Sequence, residues 1–66
     1  MNNIIDDKKL AERIKALREE IGLSQAELAK RLNVSRSKIS QMENNKVKIT
    51  VGELVALANI FNVSIE

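Results

Sequence analysis

The sequence predicts an all-α domain of four or five short helices. Apolar residues recur at intervals of three and four along most of the chain, which is typical of amphipathic helices. Two Ser/Thr-x-x-Glu sequences mark helix starts, because such pairs cap the first turn of a helix. β-Branched residues do not alternate with polar ones, so no strand is indicated. With 66 residues, the chain is long enough for one domain.

Composition excludes several classes of function. Cysteine and histidine are both absent, which removes disulfides, the commonest metal ligands and nucleophilic catalysis by Cys–His or Ser–His–Asp groups. Paired-carboxylate catalysis needs a cleft that a domain of this size hardly offers. We therefore expect a protein that is not an enzyme and needs no metal and no cofactor. We also expect it to be cytoplasmic, because it has no apolar signal segment and no run that approaches the ~18 apolar residues of a membrane span.

The first helix is predicted over about residues 8–21. Asp6 or Asp7 can cap its start and complement the helix dipole. Gly22 can end it in a left-handed conformation, which costs glycine little. Four apolar residues lie on one face of this helix, at spacings of four, three and four: Leu10, Ile14, Leu17 and Ile21.

The second helix, in the segment SQAELAKRL, is predicted to be about two turns long. Ser24 and Glu27 form the capping box at its start. Leu28 and Leu32 provide its buried face, with Ala29 beside them.

The fourth helix is predicted to start at Thr50 and Glu53, which form the other capping box, and to end near Asn62. Ser64 is a possible N-cap for a fifth helix, which would begin where this chain ends. The inner face of the fourth helix is assigned to Leu54, Leu57, Ala58 and Phe61.

The third helix runs from about residue 35 or 36 to residue 44, and Ser35 caps it. Only residues 33–35 separate it from the second helix, and a connector this short suits a helix-turn-helix. Asn33 tolerates the left-handed conformation that the turn requires. Ala29 leaves room where the two helices approach most closely.

The third helix has a slim polar outer face. At ~100° per residue, Ile39 and Met42 point inward, with Val34 between the helices. Small and amide side chains on the other face would let a helix approach base edges in a DNA major groove, where Gln suits adenine and Arg suits guanine. An ordinary solvated face is the alternative. The outer and flanking residues are Arg36, Ser37, Ser40, Gln41 and Asn44.

Basic charge is concentrated in the middle of the chain. Residues 1–23 have five acidic and five basic residues, and residues 49–66 have two acidic residues. Residues 24–48 have six basic and two acidic residues, a net charge of +4. Such a block of positive charge is a modest indication that the protein binds a polyanion. An ordinary solvated surface is also possible. The six basic residues are Lys30, Arg31, Arg36, Lys38, Lys46 and Lys48.

The segment LSQAELAKRLNVSRSKISQMENNK resembles the helix-turn-helix of the phage repressor and Cro family, also called the xenobiotic-response-element family. The resemblance extends over about residues 8–65, because ERIKALREEIGLSQ and LVALANIFNVSIE are similar to the first and fourth helices of the family. It implies one lambda-repressor-like domain over residues 1–66, with its helix-turn-helix core at 24–44. The motif falls on Gln25, Leu28, Ala29, Leu32, Asn33, Val34, Ile39 and Met42.

The resemblance implies roles by position. Four residues of the third helix would read base edges: Arg36, Ser37, Ser40 and Gln41. Six residues would hold phosphates and set the register without reading sequence: Ser24, Gln25, Lys38, Asn44, Lys46 and Lys48. Gln25 would also brace the third helix. Arg18 would bridge to Glu43 as a structural pair, and Asn33 would have a structural role in the turn.

Two asparagines depart from the family pattern. Asn33 and Asn45 stand where the family usually has glycine, and asparagine tolerates the same left-handed geometry. The loop KVKIT also lacks the proline that is common before the fourth helix.

The function that the resemblance implies is a prokaryotic or phage transcriptional regulator, most often a repressor. It would bind a palindromic double-stranded DNA operator as a homodimer, with half-site centres about 34–36 Å apart. The alternative is a protein-interaction or antitoxin-type module, or the N-terminal domain of a longer regulator, with DNA binding secondary. Candidates for the dimer patch, or for contact with a fifth helix, are Ile49, Val51, Val55, Ile60 and Ile65.

Overall fold

Four helices make up the part of the chain that the computed structural model describes, residues 7–63. The predicted all-α class is confirmed, and these residues contain no strand. The cap assigned to Asp6 and the fifth-helix start at Ser64 lie outside the described residues. No described helix has the length and apolarity needed to cross a membrane. The helices are α1 (Asp7–Glu20), α2 (Gln25–Leu32), α3 (Arg36–Glu43) and α4 (Val51–Phe61).

Side-chain caps set the starts of α2, α3 and α4. Ser24 Oγ accepts the Glu27 backbone N–H at 3.0 Å, and Glu27 Oε1 accepts the Ser24 N–H at 2.8 Å. Thr50 and Glu53 make the same reciprocal pair at 3.1 and 3.0 Å. Ser35 Oγ accepts a backbone N–H from the first turn of α3 at 3.0 Å. Both predicted capping boxes and the Ser35 cap are therefore confirmed.

Left-handed residues end the helices and turn the chain. Gly22 follows α1 with φ +77°, and Asn33 follows α2 with φ 62°. Asn45 has φ 56° in the loop after α3, and Asn62 has φ 55° at the end of α4. Asparagine adopts this region at lower cost than most residues with a Cβ. It therefore serves at both positions where the family usually has glycine.

The core lies between the four helices. Leu28, Ile39, Met42 and Leu57 are at most 2% exposed, so α2, α3 and α4 each bury a large side chain completely. A core this small leaves a net stability on the order of 3–5 kcal/mol. The buried cluster consists of Ile14, Leu28, Ala29, Ile39, Met42, Leu57 and Phe61.

The structure corrects the predicted inner face of α1. Ile21 is 44% exposed, because α1 ends at Glu20 and the turn carries Ile21 away from the core. Ala11 and Arg18 are buried instead. The 3.6-residue period places both of them on the same face as Ile14.

The structure also reduces the predicted dimer patch. Ile49 and Ile60 are partly buried and pack against the core, so they offer less area to a patch than fully exposed residues would. Val51 is 78% exposed and Val55 is 42% exposed. Ile65 lies outside the described residues.

Candidate nucleic-acid interface

Helix α3 divides into a buried face and an exposed face. Ile39 and Met42 have no exposed area, and Glu43 is 8% exposed beside them. Of the five outer and flanking residues, only Ser40 is half-buried, and its backbone carbonyl accepts Asn44 Nδ2–H at 2.8 Å. The other four are exposed, as the helical wheel predicts: Arg36, Ser37, Gln41 and Asn44.

A shallow depression between α2 and α3 brings together residues to which the family resemblance gave two roles. Gln25 of α2 lines it with Arg36, Ser37 and Ser40 of α3. Gln41 lies outside the depression but one turn along the same face from Ser37, where residues four apart are neighbours. Three predicted base-reading residues and one predicted phosphate-binding residue therefore share one concave surface.

A buried hydrogen-bond network holds this surface in place. Arg18 donates to Glu43 through Nε at 2.6 Å and Nη2 at 3.1 Å, and to the Leu23 carbonyl through Nη1 at 2.8 Å. Gln25 Nε2 donates to Glu43 Oε1 at 3.1 Å. The side chains of Arg18 and Glu43 are only 10% and 2% exposed. One carboxylate thus ties α1 and the start of α2 to the end of α3.

Electrostatics favour the charged form of this network. The hydrogen bond from Arg18 to Glu43 raises the pKa of the guanidinium, against the opposing effect of burial. The distance of 2.6 Å between Arg18 Nε and Glu43 Oε2 shows that the ion pair implied by the resemblance is present. Because the Gln25 amide has two N–H donors, one can remain on Glu43 while the other faces a ligand.

The start of α2 presents further donors. Ser24 Oγ is used as the acceptor of the capping box, but its hydroxyl hydrogen can still be donated. The first-turn N–H groups of a helix lack intrahelical partners and favour an anion. Ser24 and Gln25 thus stand where a phosphate could bind, and that role stays a prediction.

The loop after α3 contains the next predicted phosphate contacts. Lys46 is exposed, and Lys48 Nζ lies 3.7 Å from Asp7 Oδ2 with a side chain that is 94% exposed. An ion pair this exposed contributes little to stability and exchanges readily with solvent.

Asn44, another predicted phosphate contact, donates to the Ser40 carbonyl. Asp7 and the two lysines line a second depression with Asn45 and Val47.

Lys38 has an acidic neighbour that the sequence reasoning missed. Its Nζ lies 3.5 Å from Glu53 Oε2 of α4. A signal was available, since a lysine in the first turn of a helix opposes the dipole and favours an acidic partner. Its partner could not be chosen from the sequence, because the pair joins two helices.

The sequence model of the Helix-turn-helix family matches residues 14–66. The chain belongs to this helix-turn-helix family. The similarity extends to the DNA-binding domain of the P22 C2 repressor, at 32% identity and a TM-score of 0.80, covering 98% of this chain and 80% of that one. The predicted resemblance to the phage repressor group and the repressor-like fold are therefore confirmed.

Other helix-turn-helix proteins are similar to this chain. The HTH-type transcriptional regulator PrpR of Mycobacterium tuberculosis (strain ATCC 25618 / H37Rv) is 44% identical over 52 residues, which are 79% of this chain and 11% of PrpR. The chain thus spans a small part of that relative. The biofilm master regulator SinR in complex with DNA is 32% identical, with a TM-score of 0.77, covering 85% of this chain and 90% of that one. PrpR is thus a transcriptional regulator, and SinR is a master regulator for biofilm formation.

Proposed function

We propose that this helix-turn-helix chain is a sequence-specific double-stranded DNA-binding transcriptional regulator. The observation that carries the proposal is the exposed, slim and polar face of α3, which shares a concave surface with Gln25 at the start of α2. A major groove about 12 Å wide admits one helix, and small outer side chains allow close approach to the base edges. SinR in complex with DNA and the DNA-binding domain of the C2 repressor support the same conclusion.

In the proposed complex, α3 lies in the major groove. Arg36 and Gln41 form bidentate hydrogen bonds with guanine and adenine, while Ser37 and Ser40 contact smaller base-edge groups. Phosphates on one side bind at the start of α2 through Ser24 and Gln25. Those on the other side bind in the loop after α3 through Asn44, Lys46 and Lys48. These phosphate contacts position the helix but carry no sequence information.

The domain would act as a homodimer on a palindrome, most simply as a repressor that blocks access to a promoter. A two-fold axis places two copies of α3 in major grooves about 34–36 Å apart, one turn of DNA. Val51 and Val55 are the exposed apolar residues of α4 that support a dimer contact. Action on chromosomal or phage DNA places the protein in the cytoplasm of a prokaryotic cell.

The first experiment is selection from a random duplex library at moderate salt, with the bound DNA sequenced. Enrichment of a palindrome would establish a dimeric reader and define its half-site. A variant with Ser37, Ser40 and Gln41 all changed to alanine is the matched control, because these residues lie outside the buried cluster. We expect it to fold but to lose enrichment at the base pairs assigned to these three residues, while Arg36 still favours guanine at its own position. The same enrichment by the variant would contradict the assignment of α3.

A protein-interaction module is the second candidate, favoured by the 78% exposure of Val51. The two functions differ in their response to salt. Binding to duplex DNA weakens steeply as salt rises, because counterions are released from the phosphates. An apolar protein interface would hardly change. Salt-insensitive association with DNA would therefore count against the DNA-binding function.

A further inference from the structure

The ion pair between α3 and α4 has a consequence for binding of DNA in general. We propose that Glu53 masks the charge of Lys38 and so keeps the affinity of the domain for non-operator DNA low. The inference rests on the proposed DNA-binding function and adds to it a residue, Glu53, to which no DNA contact is assigned. It also changes the expected role of Lys38 from a phosphate contact to a masked cation.

The carboxylate of Glu53 is fixed independently of the lysine. Its Oε1 accepts the Thr50 backbone N–H at 3.0 Å, while the Glu53 N–H donates to Thr50 Oγ1 at 3.1 Å. The other oxygen, Oε2, lies 3.5 Å from Lys38 Nζ. The hydrogen bond from the Thr50 backbone, with a smaller contribution from the charge of Lys38, lowers the pKa of Glu53. The capping box therefore holds an ionised carboxylate in front of the lysine.

The lysine lies at the edge of the candidate DNA surface. Lys38 follows Ser37 directly and precedes Gln41 by three residues, so Gln41 is its neighbour one turn along the helix. Its side chain is 33% exposed and that of Glu53 is 18% exposed, so the pair is partly shielded from water. Without its ion pair to Glu53, the Lys38 side chain could change rotamer and contact a phosphate beside Gln41.

Masking one cation has a measurable effect on non-specific binding. Affinity for DNA of arbitrary sequence comes essentially from phosphates neutralised by Lys and Arg. The logarithm of the binding constant falls as the logarithm of the salt concentration rises, and each neutralised phosphate makes this slope steeper by about 0.9. A lysine already neutralised by Glu53 adds nothing to this slope. Weak non-specific binding matters because competing genomic sites are very numerous.

The test compares four proteins: the wild type, Lys38→Met, Glu53→Gln and the double variant. Each is titrated with a labelled duplex of arbitrary sequence between 50 and 200 mM KCl. We expect Glu53→Gln to steepen the slope by about 0.9, which widens the affinity difference across this range by about 3.5-fold. Lys38→Met and the double variant should keep the wild-type slope. Glutamine preserves the acceptor of the capping box, and far-UV circular dichroism checks the fold.

Three outcomes would overturn the inference alone. An unchanged slope for Glu53→Gln would mean that its carboxylate does not mask the lysine. A flatter slope for Lys38→Met would mean that the lysine already contacts a phosphate, and this variant leaves the capping box untouched. An equally steep slope for Glu53→Gln and the double variant would mean that net charge, not the lysine, is responsible. Absence of salt-dependent duplex binding by the wild type would instead overturn the proposed function, and this inference with it.

Discussion

Glu43 is the residue on which the geometry of the candidate DNA surface depends. It accepts hydrogen bonds from Arg18 of α1 and from Gln25 of α2 while standing at the end of α3. Burial makes this arrangement sensitive to truncation, because a buried charge that loses its partner is strongly destabilising. The network sets how α3 is held against α2, and Arg18 and Glu43 do this without an assigned contact to DNA.

Arg18→Met should destabilise the domain by about 3 kcal/mol or more, because it leaves the Glu43 carboxylate buried without its partner. That is most of the stability expected for a core of this size, on the order of 3–5 kcal/mol. Urea unfolding followed by far-UV circular dichroism measures the loss.

The matched control is the double variant Arg18→Met, Glu43→Leu, which removes both charges. Replacing a buried ion pair by apolar residues is often neutral, so the double variant should be more stable than Arg18→Met. A double variant less stable than the single one would contradict the proposed origin of the effect.

Gln41→Ala should relax specificity at particular base pairs of the selected operator. The loss is about 1–3 kcal/mol if Gln41 makes a bidentate contact with adenine. Affinities for the operator and for single-base variants of it provide the measurement, and an equal loss on every sequence would exclude a base-reading role.

Lys46→Ala tests a predicted phosphate contact, in contrast to the base contact tested by Gln41→Ala. It should weaken binding to all sequences alike and flatten the salt slope by about one, because the proposed complex assigns only phosphate contacts to the loop after α3. An unchanged slope would remove Lys46 from the phosphate contacts.

At the scale of the elements, the N-terminus of α4 makes stability depend on pH. The hydrogen bond from the Thr50 backbone lowers the pKa of Glu53 from its ordinary 4.5. The unfolded chain therefore binds the proton more readily than the folded one, so stability rises with pH in this range and falls as the pH drops below about 4.5. In Glu53→Gln, the part of the acid-induced loss of stability that comes from protonation of Glu53 should disappear.

Chemical denaturation at pH 7 and at several acidic pH values tests this dependence. The wild type should lose more stability on acidification than Glu53→Gln does. The other capping-box glutamate, Glu27, also has a lowered pKa, caused first by its hydrogen bond with the Ser24 backbone. It is present in both proteins and so cancels in the comparison. An identical loss in both would show that Glu53 contributes no pH dependence.

The helices were predictable because their signals are local. A capping box lies within four residues, so Ser24 and Thr50 each marked a helix start that the structure confirms. Ile21 was placed wrongly because periodicity continues in the sequence after a helix has ended. The ion pairs of Lys38 and Lys48 could not be predicted, because their partners come from distant segments that only packing brings together.

The candidate surface was only partly predictable, for a similar reason. A helical wheel separated Ser37 and Gln41 from Ile39 and Met42, since that division is a property of one helix. The meeting of Gln25 with the α3 residues depends on how two helices cross, and only the family resemblance implied it.

At the scale of the whole molecule, the exposed apolar residues of α4 make the dimer testable. The double variant Val51→Ser, Val55→Ser should weaken binding to a full palindrome while leaving affinity for an isolated half-site unchanged. Both residues are exposed and outside the buried cluster, so the domain should stay folded. Gel-shift titrations on full and half sites provide the measurement. Equal affinity of variant and wild type for the palindrome would exclude these valines from the dimer contact.

The two faces of α3 also bear on how such a protein can diverge. The residues that hold the fold and those assigned to reading DNA are interleaved along the eight residues Arg36–Glu43 but share no position. After a gene duplication, one copy could therefore acquire a new operator through substitutions at the base-reading positions, which lie outside the buried cluster, without first acquiring a compensating stabilisation. A small domain with little stability to spare can in this way generate regulators that do not interfere with one another.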